Sequence, residues 1–164
     1  MAYEFDDDRE RLDFDVVWLF LSTDAYWNRW RSREDVDLQF RGAWRVIGAY
    51  VEGGDELVGF ARAVSDGVSD AYLADVYVAP SHRGRGIGGR MIEAMVEEGL
   101  GARFRWFLAT RDAREFYARY GFHPPDERVM ERPGRFSRAI GDADSRPPDI
   151  ARSSLWSHRS ALTE

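Results

Sequence analysis

The sequence predicts an α+β domain: a central, mostly antiparallel sheet of about six to seven strands with helices on its flanks. Three observations carry that prediction. Two β-like runs, "AWRVIGAYV" and "ELVGFARAVSD", are joined by Glu52-Gly53-Gly54-Asp55, a strong hairpin turn, and "AYLADVYV" (Ala71–Val78) follows as a third run. From Gly88 the apolar period changes from strand-like to helical. The chain has 164 residues and no cysteine, so one core of ordinary size must form without disulfides.

Each element can be justified in order. The N-terminus, "MAYEFDDDRERLD", is acidic and lacks the basic-then-apolar pattern of a signal peptide. "FDVVWLFL" (Phe14–Leu21) is a short apolar run rich in β-formers and reads as a buried strand. Ser22, Thr23 or Asp24 would then cap a helix carrying Tyr26, Trp27 and Trp30. Ser32-x-x-Asp35 resembles a capping box and opens a short helix to about Phe40. The three-stranded meander comes next. In the helix after it, Met91, Ile92, Met95, Val96 and Leu100 share one face, with Glu93, Glu97 and Glu98 opposite and Gly99 and Gly101 as the stop. "FRWFLAT" (Phe104–Thr110) is a strand reached by a parallel crossover. Ala113, Phe116, Tyr117 and Tyr120 mark a second helix ended by Gly121, and "RVME" (Arg128–Glu131) reads as a last strand. The domain is expected to occupy 1–133. Residues 134–164, rich in Arg, Ser, Asp, Pro and Ala, read as an extended tail packed on the domain or on a partner.

Composition narrows the chemistry. All 23 basic residues are arginine, which excludes Schiff-base and lysine-nucleophile catalysis; the absence of cysteine excludes thiolates. A net charge of −6 argues against nucleic acid as a general surface partner and suits a cationic small substrate. The longest apolar run, Val16–Leu21, is too short to span a bilayer, so a cytoplasmic protein is expected, with no membrane partner. His82, His123 and His158 lack ligand spacing, and no metal is expected.

The stretch "APSHRGRGIGGRM" offers two phosphate-binding frames. Gly84-x-Gly86-x-x-Gly89 matches the dinucleotide fingerprint G-x-G-x-x-G. That frame requires a glycine directly after a strand in a βαβ unit and an acid ending the next strand. Here Pro80-Ser81-His82-Arg83 intervene, and the next strand ends "WFLAT". The other frame is Arg83-x-x-Gly86-x-Gly88, in which backbone amides at a helix start and two nearby arginines suit a pyrophosphate.

The flanks of that second frame, "YVAPSHRGRGIGGRMIEAM", resemble the acetyl-CoA-binding motif of the GCN5-related N-acetyltransferase (GNAT) superfamily. "TRDAREFYARYGFHP" is similar to that family's later block, with Ala113, Tyr117, Gly121 and Phe122 at matching positions and Thr110 where the family usually has Asn. The two blocks cover 71–124, and the order of strands extends the resemblance to roughly 12–132.

The resemblance implies direct acetyl transfer from acetyl-CoA, as co-substrate, to an amine. By match, the pyrophosphate cradle is Arg83, Gly84, Arg85, Gly86, Ile87 and Gly88. The strand 71–78 would be splayed, so that Val76, Tyr77 and Val78 hold pantetheine and polarise the thioester carbonyl as an oxyanion donor. Thr110 and Phe116 would line the cofactor arm. Tyr117 would protonate the departing thiolate; its plainer alternative is core packing beside Phe116 and Tyr120. The base is sought on the strand itself. Asp75 is a carboxylate in an apolar strand, which costs energy unless paired or hydrated. It is either the base or the partner of an arginine, and Asp66 is a weaker candidate. Strand alternation places Leu73, Asp75 and Tyr77 on one face and Tyr72, Ala74 and Val76 on the other. Tyr26, Trp27 and Trp30 would wall an acceptor pocket or pack in the core. The expected function is acetylation of a small-molecule primary amine in a ternary complex. A non-catalytic acyl-CoA-binding sensor on the same fold is the rival, a longer acyl donor is not excluded, and a homodimer stays open.

Overall fold

A computed structural model describes residues 2–28 and 30–132. The chain divides into a compact unit, 1–128, and a second unit, 129–164. The described part of the second unit carries no helix or strand, so the strand expected at Arg128–Glu131 does not form. The tail expected at 134–164 lies outside the described residues.

The sheet has five strands in sequence order: β1 (Tyr3–Asp6), β2 (Arg45–Val51), β3 (Leu57–Ser65), β4 (Asp70–Val78) and β5 (Arg105–Leu108). All neighbours are antiparallel except β4 and β5, which run parallel across the helical crossover. Four α-helices accompany them: α1 (Phe14–Thr23), α2 (Arg33–Arg41), α3 (Ile87–Val96) and α4 (Arg114–Ala118). Among the described residues five strands form, fewer than the expected six to seven. Phe14–Leu21 folds as helix, Arg128–Glu131 stays irregular, and the acidic N-terminus supplies β1, paired in register from Tyr3↔Val51 to Asp6↔Gly48.

The helical fate of Phe14–Leu21 has a local cause. Asp13 caps it, its side chain accepting from the amides of Asp15 and Val16. Period alone does not separate a short, continuously apolar strand from a buried helix. Once the run is helical, Val17 and Leu21, four apart, are buried while Leu19 is exposed. Ser22 and Thr23 therefore end α1 rather than open the next helix, and both hydroxyls bond back to the Leu19 carbonyl, at 3.2 and 2.7 Å. The helix expected around Tyr26 shrinks to a single 3₁₀ turn, Tyr26–Asn28. The capping box at Ser32 and Asp35 forms as expected and starts α2.

Two apolar layers sandwich the sheet. On one face Val17, Leu21, Val36 and Phe40 of α1 and α2 meet Val46, Phe60 and Tyr77. On the other, Ile87, Met91, Ile92 and Met95 of α3 meet Ile47, Val58, Ala61 and Leu73. Because both faces are covered, β2 and β3 are buried along nearly their whole length. No helix among the described residues is long and apolar enough to cross a membrane.

Candidate active site

The site is built where β4 parts from β5. Their parallel ladder runs from Asp70↔Arg105 to Leu73↔Leu108 and stops, while β4 continues to Val78. Among the described residues no strand lies beside the β5-facing edge of Ala74–Val78, so this edge offers backbone groups to a ligand. The expected splay at 71–78 is present, and it begins after Leu73.

A β-bulge falls at the same point. Across β3, Arg62 pairs with Ala74 and Phe60 with Tyr77, so Asp75 and Val76 together oppose Ala61. Asp75 takes φ +34° and is the one non-glycine residue with positive φ among those described. The bulge resets the alternation. Leu73 packs on the α3 side, whereas Tyr77 packs on the α1–α2 side between Phe20 and Phe60, with ring centroids 4.7 and 5.6 Å away. Strict alternation therefore misplaced Leu73 relative to Tyr77, because one extra residue inverts the facing of everything after it.

Asp75 is buried and fully engaged. Its carboxylate accepts from Arg31 Nη1 and Nη2 at 2.9 and 2.6 Å, from Arg62 Nε at 2.8 Å and from Trp27 Nε1 at 3.0 Å. Its side chain is 2% exposed. Burial alone would raise its pKa, but the hydrogen bonds and charge of Arg31 and the charge of Arg62 outweigh it and hold the carboxyl below its ordinary value. The arginine pairing offered as the alternative for Asp75 is therefore formed, and a carboxylate saturated with donors in this way is a poor proton acceptor. Asp66 is committed too. It accepts from the amides of Val68, Ser69 and Asp70 at 2.8, 2.9 and 3.2 Å, which hold its pKa down and build the β3–β4 turn.

The glycine loop enters α3 at the end of β4. Gly84 and Gly86 have φ of +73° and +80°, and Gly86 is the helix cap. The first intrahelical acceptor is taken by Arg90, whose amide bonds the Gly86 carbonyl at 3.0 Å, which leaves the amides of Ile87, Gly88 and Gly89 without helical partners. The exposed arginine side chains fold back on the loop: Arg83 Nε donates to the Val78 carbonyl (2.9 Å), and Arg85 donates to the Tyr3 hydroxyl (3.1 Å) and the Ser81 carbonyl (3.2 Å). The loop thus combines amides at a helix start with arginine charge that braces the backbone.

Helix α4 lies against that start. Phe116 and Val78 flank Gly88, with a Cβ there reaching 3.4 Å from the Phe116 ring. At Gly89 a Cβ would run into the Tyr120 hydroxyl, which explains the glycine that made the dinucleotide match. Gly89→Ala is expected to destabilise the fold by about 1–3 kcal/mol, and Tyr120→Phe in the same background to recover part of that loss. Chemical denaturation of the two single variants and the double variant would check this.

Tyr117 follows Phe116 on α4 and is half-buried between the Phe116 and Phe122 rings. Burial, then the nearby Tyr26, Asp112 and Tyr72, push its phenol up to about 12. Those three groups define the mouth beside it. Tyr26 leans on Asp112 (3.4 Å) and carries the Arg111 guanidinium 3.9 Å from its ring centre. Thr110 accepts from the Ala113 amide at 3.1 Å and so shapes the turn into α4. Among the other residues expected at the acceptor, Trp27 is drawn inward to Asp75, and Trp30 is 38% exposed with Arg31 near its ring.

Several participants escape a reading of the sequence. Arg62 had a signal, being the lone charge within the apolar stretch Leu57–Val64, which requires a buried counter-charge; Asp75, on the adjacent strand, supplies it. Asp24, which accepts from the Tyr77 hydroxyl at 2.5 Å, and Arg31 lie in a loop whose path only the fold sets. Among the described residues no cluster of His, Cys, Asp or Glu could hold a metal.

A mixed open sheet whose fourth strand bulges, leaves its neighbour and runs into a glycine loop at a helix start is the architecture of an acetyltransferase. Residues 43–124 match the acetyltransferase (GNAT) domain family. A Gibberella zeae protein bearing an acetyltransferase name is 30% identical over 118 residues, 66% of each chain, so this chain spans slightly under two thirds of that relative. The crystal structure of a GNAT-family protein from Xanthomonas campestris superposes with a TM-score of 0.75 at 34% identity, over 82% of this chain and 94% of that one. A GNAT-family acetyltransferase of Streptococcus pneumoniae shares the fold, with a TM-score of 0.64 at 22% identity over 82% and 99%. The chain belongs to the GNAT acetyltransferase family.

Proposed function

We propose that this chain transfers an acetyl group from acetyl-CoA to the primary amine of a small molecule, with both substrates bound at once. The observation that carries this reading is the convergence of three features: the open edge of β4, the glycine loop at the start of α3, and Tyr117 on α4. Acetyl-CoA supplies the activated acyl group. The amides from Gly84 to Gly88 bind its pyrophosphate, where Gly84 and Gly86 take positive φ and nothing lies within 4 Å of the place a Cβ would occupy. The amides of Val76 and Val78, on the open edge, hold the pantetheine arm and the thioester carbonyl, whereas the expected third donor, Tyr77, turns its amide to Phe60 on β3. Phe116 and the Thr110 turn flank the arm. Tyr117 keeps its proton at neutral pH and presents it to the leaving sulfur.

With Asp75 and Asp66 both occupied, the amine sheds its proton to water at the mouth, between Tyr26, Tyr72 and Asp112. An aromatic, acid-bearing mouth suits an acceptor that arrives as an ammonium. A panel of amines with thiol detection tests the reading: release of CoA thiol with at least one amine is the expected result. Tight acetyl-CoA binding with silence across the panel would favour the sensor instead. For the cradle, Arg83→Glu is expected to weaken acetyl-CoA binding about tenfold or more, since it removes the brace on Val78 and sets a like charge near the pyrophosphate. Calorimetry measures this, and unchanged affinity would remove the cradle from the reading.

A further inference from the structure

We propose that Asp75 is a positioning residue for the transfer step: its carboxylate, tied to Arg31, Arg62 and Trp27, fixes the β4 bulge in the conformation that presents the Val76 and Val78 amides to the thioester. The inference rests on the acetyl-transfer reading above and extends it to how the carbonyl-binding amides acquire their geometry.

The position of the bulge is the first argument. The ladder to β5 ends at Leu73, the register to β3 slips between Ala74 and Tyr77, and Asp75 lies inside that slip. Whatever sets the backbone at Asp75 sets the direction of the Val76 and Val78 amides that follow on the open edge.

The second argument is conformational. A residue with a Cβ resists positive φ and holds it only when its surroundings over-determine it. Glycine would permit φ +34° without fixing it. Asp75 fixes it, because four hydrogen bonds reach its two carboxylate oxygens from different parts of the fold. Arg62 ties it to β3, the strand across the bulge. Trp27 and Arg31 tie it to the loop between α1 and α2.

The third argument is that loop's other role. It also carries Tyr26, which borders Tyr117, and Asp24, which holds the Tyr77 hydroxyl. One carboxylate therefore keeps the acceptor-side wall in register with the strand that receives the acyl group. A cluster kept for stability alone needs no charge here, since well-packed apolar side chains commonly stabilise as much as a buried ion pair. An apolar side chain at position 75 could not reach three tethers.

Infrared difference spectroscopy on the full chain with [1-13C]acetyl-CoA tests the proposal without an acceptor. The bound wild-type carbonyl band is expected to move to lower frequency than that of free acetyl-CoA. In Asp75→Asn, an isosteric change tolerant of positive φ, about half or more of that displacement should be lost while acetyl-CoA affinity changes less than about threefold. If that variant does not fold, Asp75→Asn with Arg62→Met keeps the cluster's wild-type net charge and carries the same expectation. A folded variant with the full wild-type displacement overturns the positioning role and leaves the transferase reading intact. A wild-type chain that binds no acetyl-CoA, or leaves its carbonyl unmoved, overturns the transferase reading and this inference with it.

Discussion

Tyr117→Phe is expected to cut amine-dependent thiol release by about 100-fold or more while leaving acetyl-CoA affinity within about twofold. The substitution removes one oxygen and keeps the ring that packs between Phe116 and Phe122. It should therefore spare the fold and the cofactor arm and delete only the proton donor. The phenol is pushed up to about 12, so it stays protonated across the neutral range and contributes no descending limb to a pH–rate profile between about pH 6 and 10. A thiolate whose conjugate acid is near pKa 8.5 is the weaker base of the pair, so transfer from this phenol is uphill by roughly 3–4 units. On the acetyl-transfer reading, Tyr117 would therefore act first as a hydrogen-bond donor to developing negative charge, with proton transfer completed late. Steady-state thiol release paired with calorimetry separates the outcomes. Undiminished turnover removes Tyr117 from the mechanism, and a parallel loss of acetyl-CoA affinity makes it a binding residue instead.

The fold was legible where local signals agreed with tertiary context. The Glu52–Asp55 hairpin, the capping box at Ser32 and the amphipathic α3 formed as their patterns dictate, except that α3 ends at Val96 and Leu100, expected on its apolar face, is exposed in the 3₁₀ turn that follows. Phe14–Leu21 was misread because a continuous apolar run is ambiguous and its deciding feature, the Asp13 cap, precedes it. β1 was missed because four residues amid acids carry almost no period; pairing with β2 makes them a strand. The glycine loop was legible because left-handed backbone and a helix start constrain neighbouring residues. The environment of Asp75 was not, because Arg31, Arg62 and Trp27 reach it from 44, 13 and 48 residues away. A β-bulge leaves no mark in a period-two pattern except the positions that disobey it, and both Leu73 and Tyr77 are apolar enough to suit either face.

The same cluster governs the other large effect, on stability. Asp75→Asn is expected to lower the free energy of unfolding by about 3–5 kcal/mol near pH 7, because it leaves Arg31 and Arg62 buried without a counter-charge. Against a domain stability of about 5–15 kcal/mol, that loss is large enough to read directly in urea midpoints. The pH dependence gives the sign. Asp75 has a folded pKa below its unfolded value, so its stabilisation is present above about pH 4, the unfolded pKa, and is lost as pH falls through the lower folded value. Arg31 and Arg62 remain charged throughout. The gap between wild type and Asp75→Asn should therefore be constant from about pH 7 to 5 and shrink below about pH 4, where the wild-type carboxyl gains the proton that the amide already mimics. A gap that stays constant down to pH 3, or widens, would mean that the lost stability comes from shape and not from the ionised carboxylate between its two arginines.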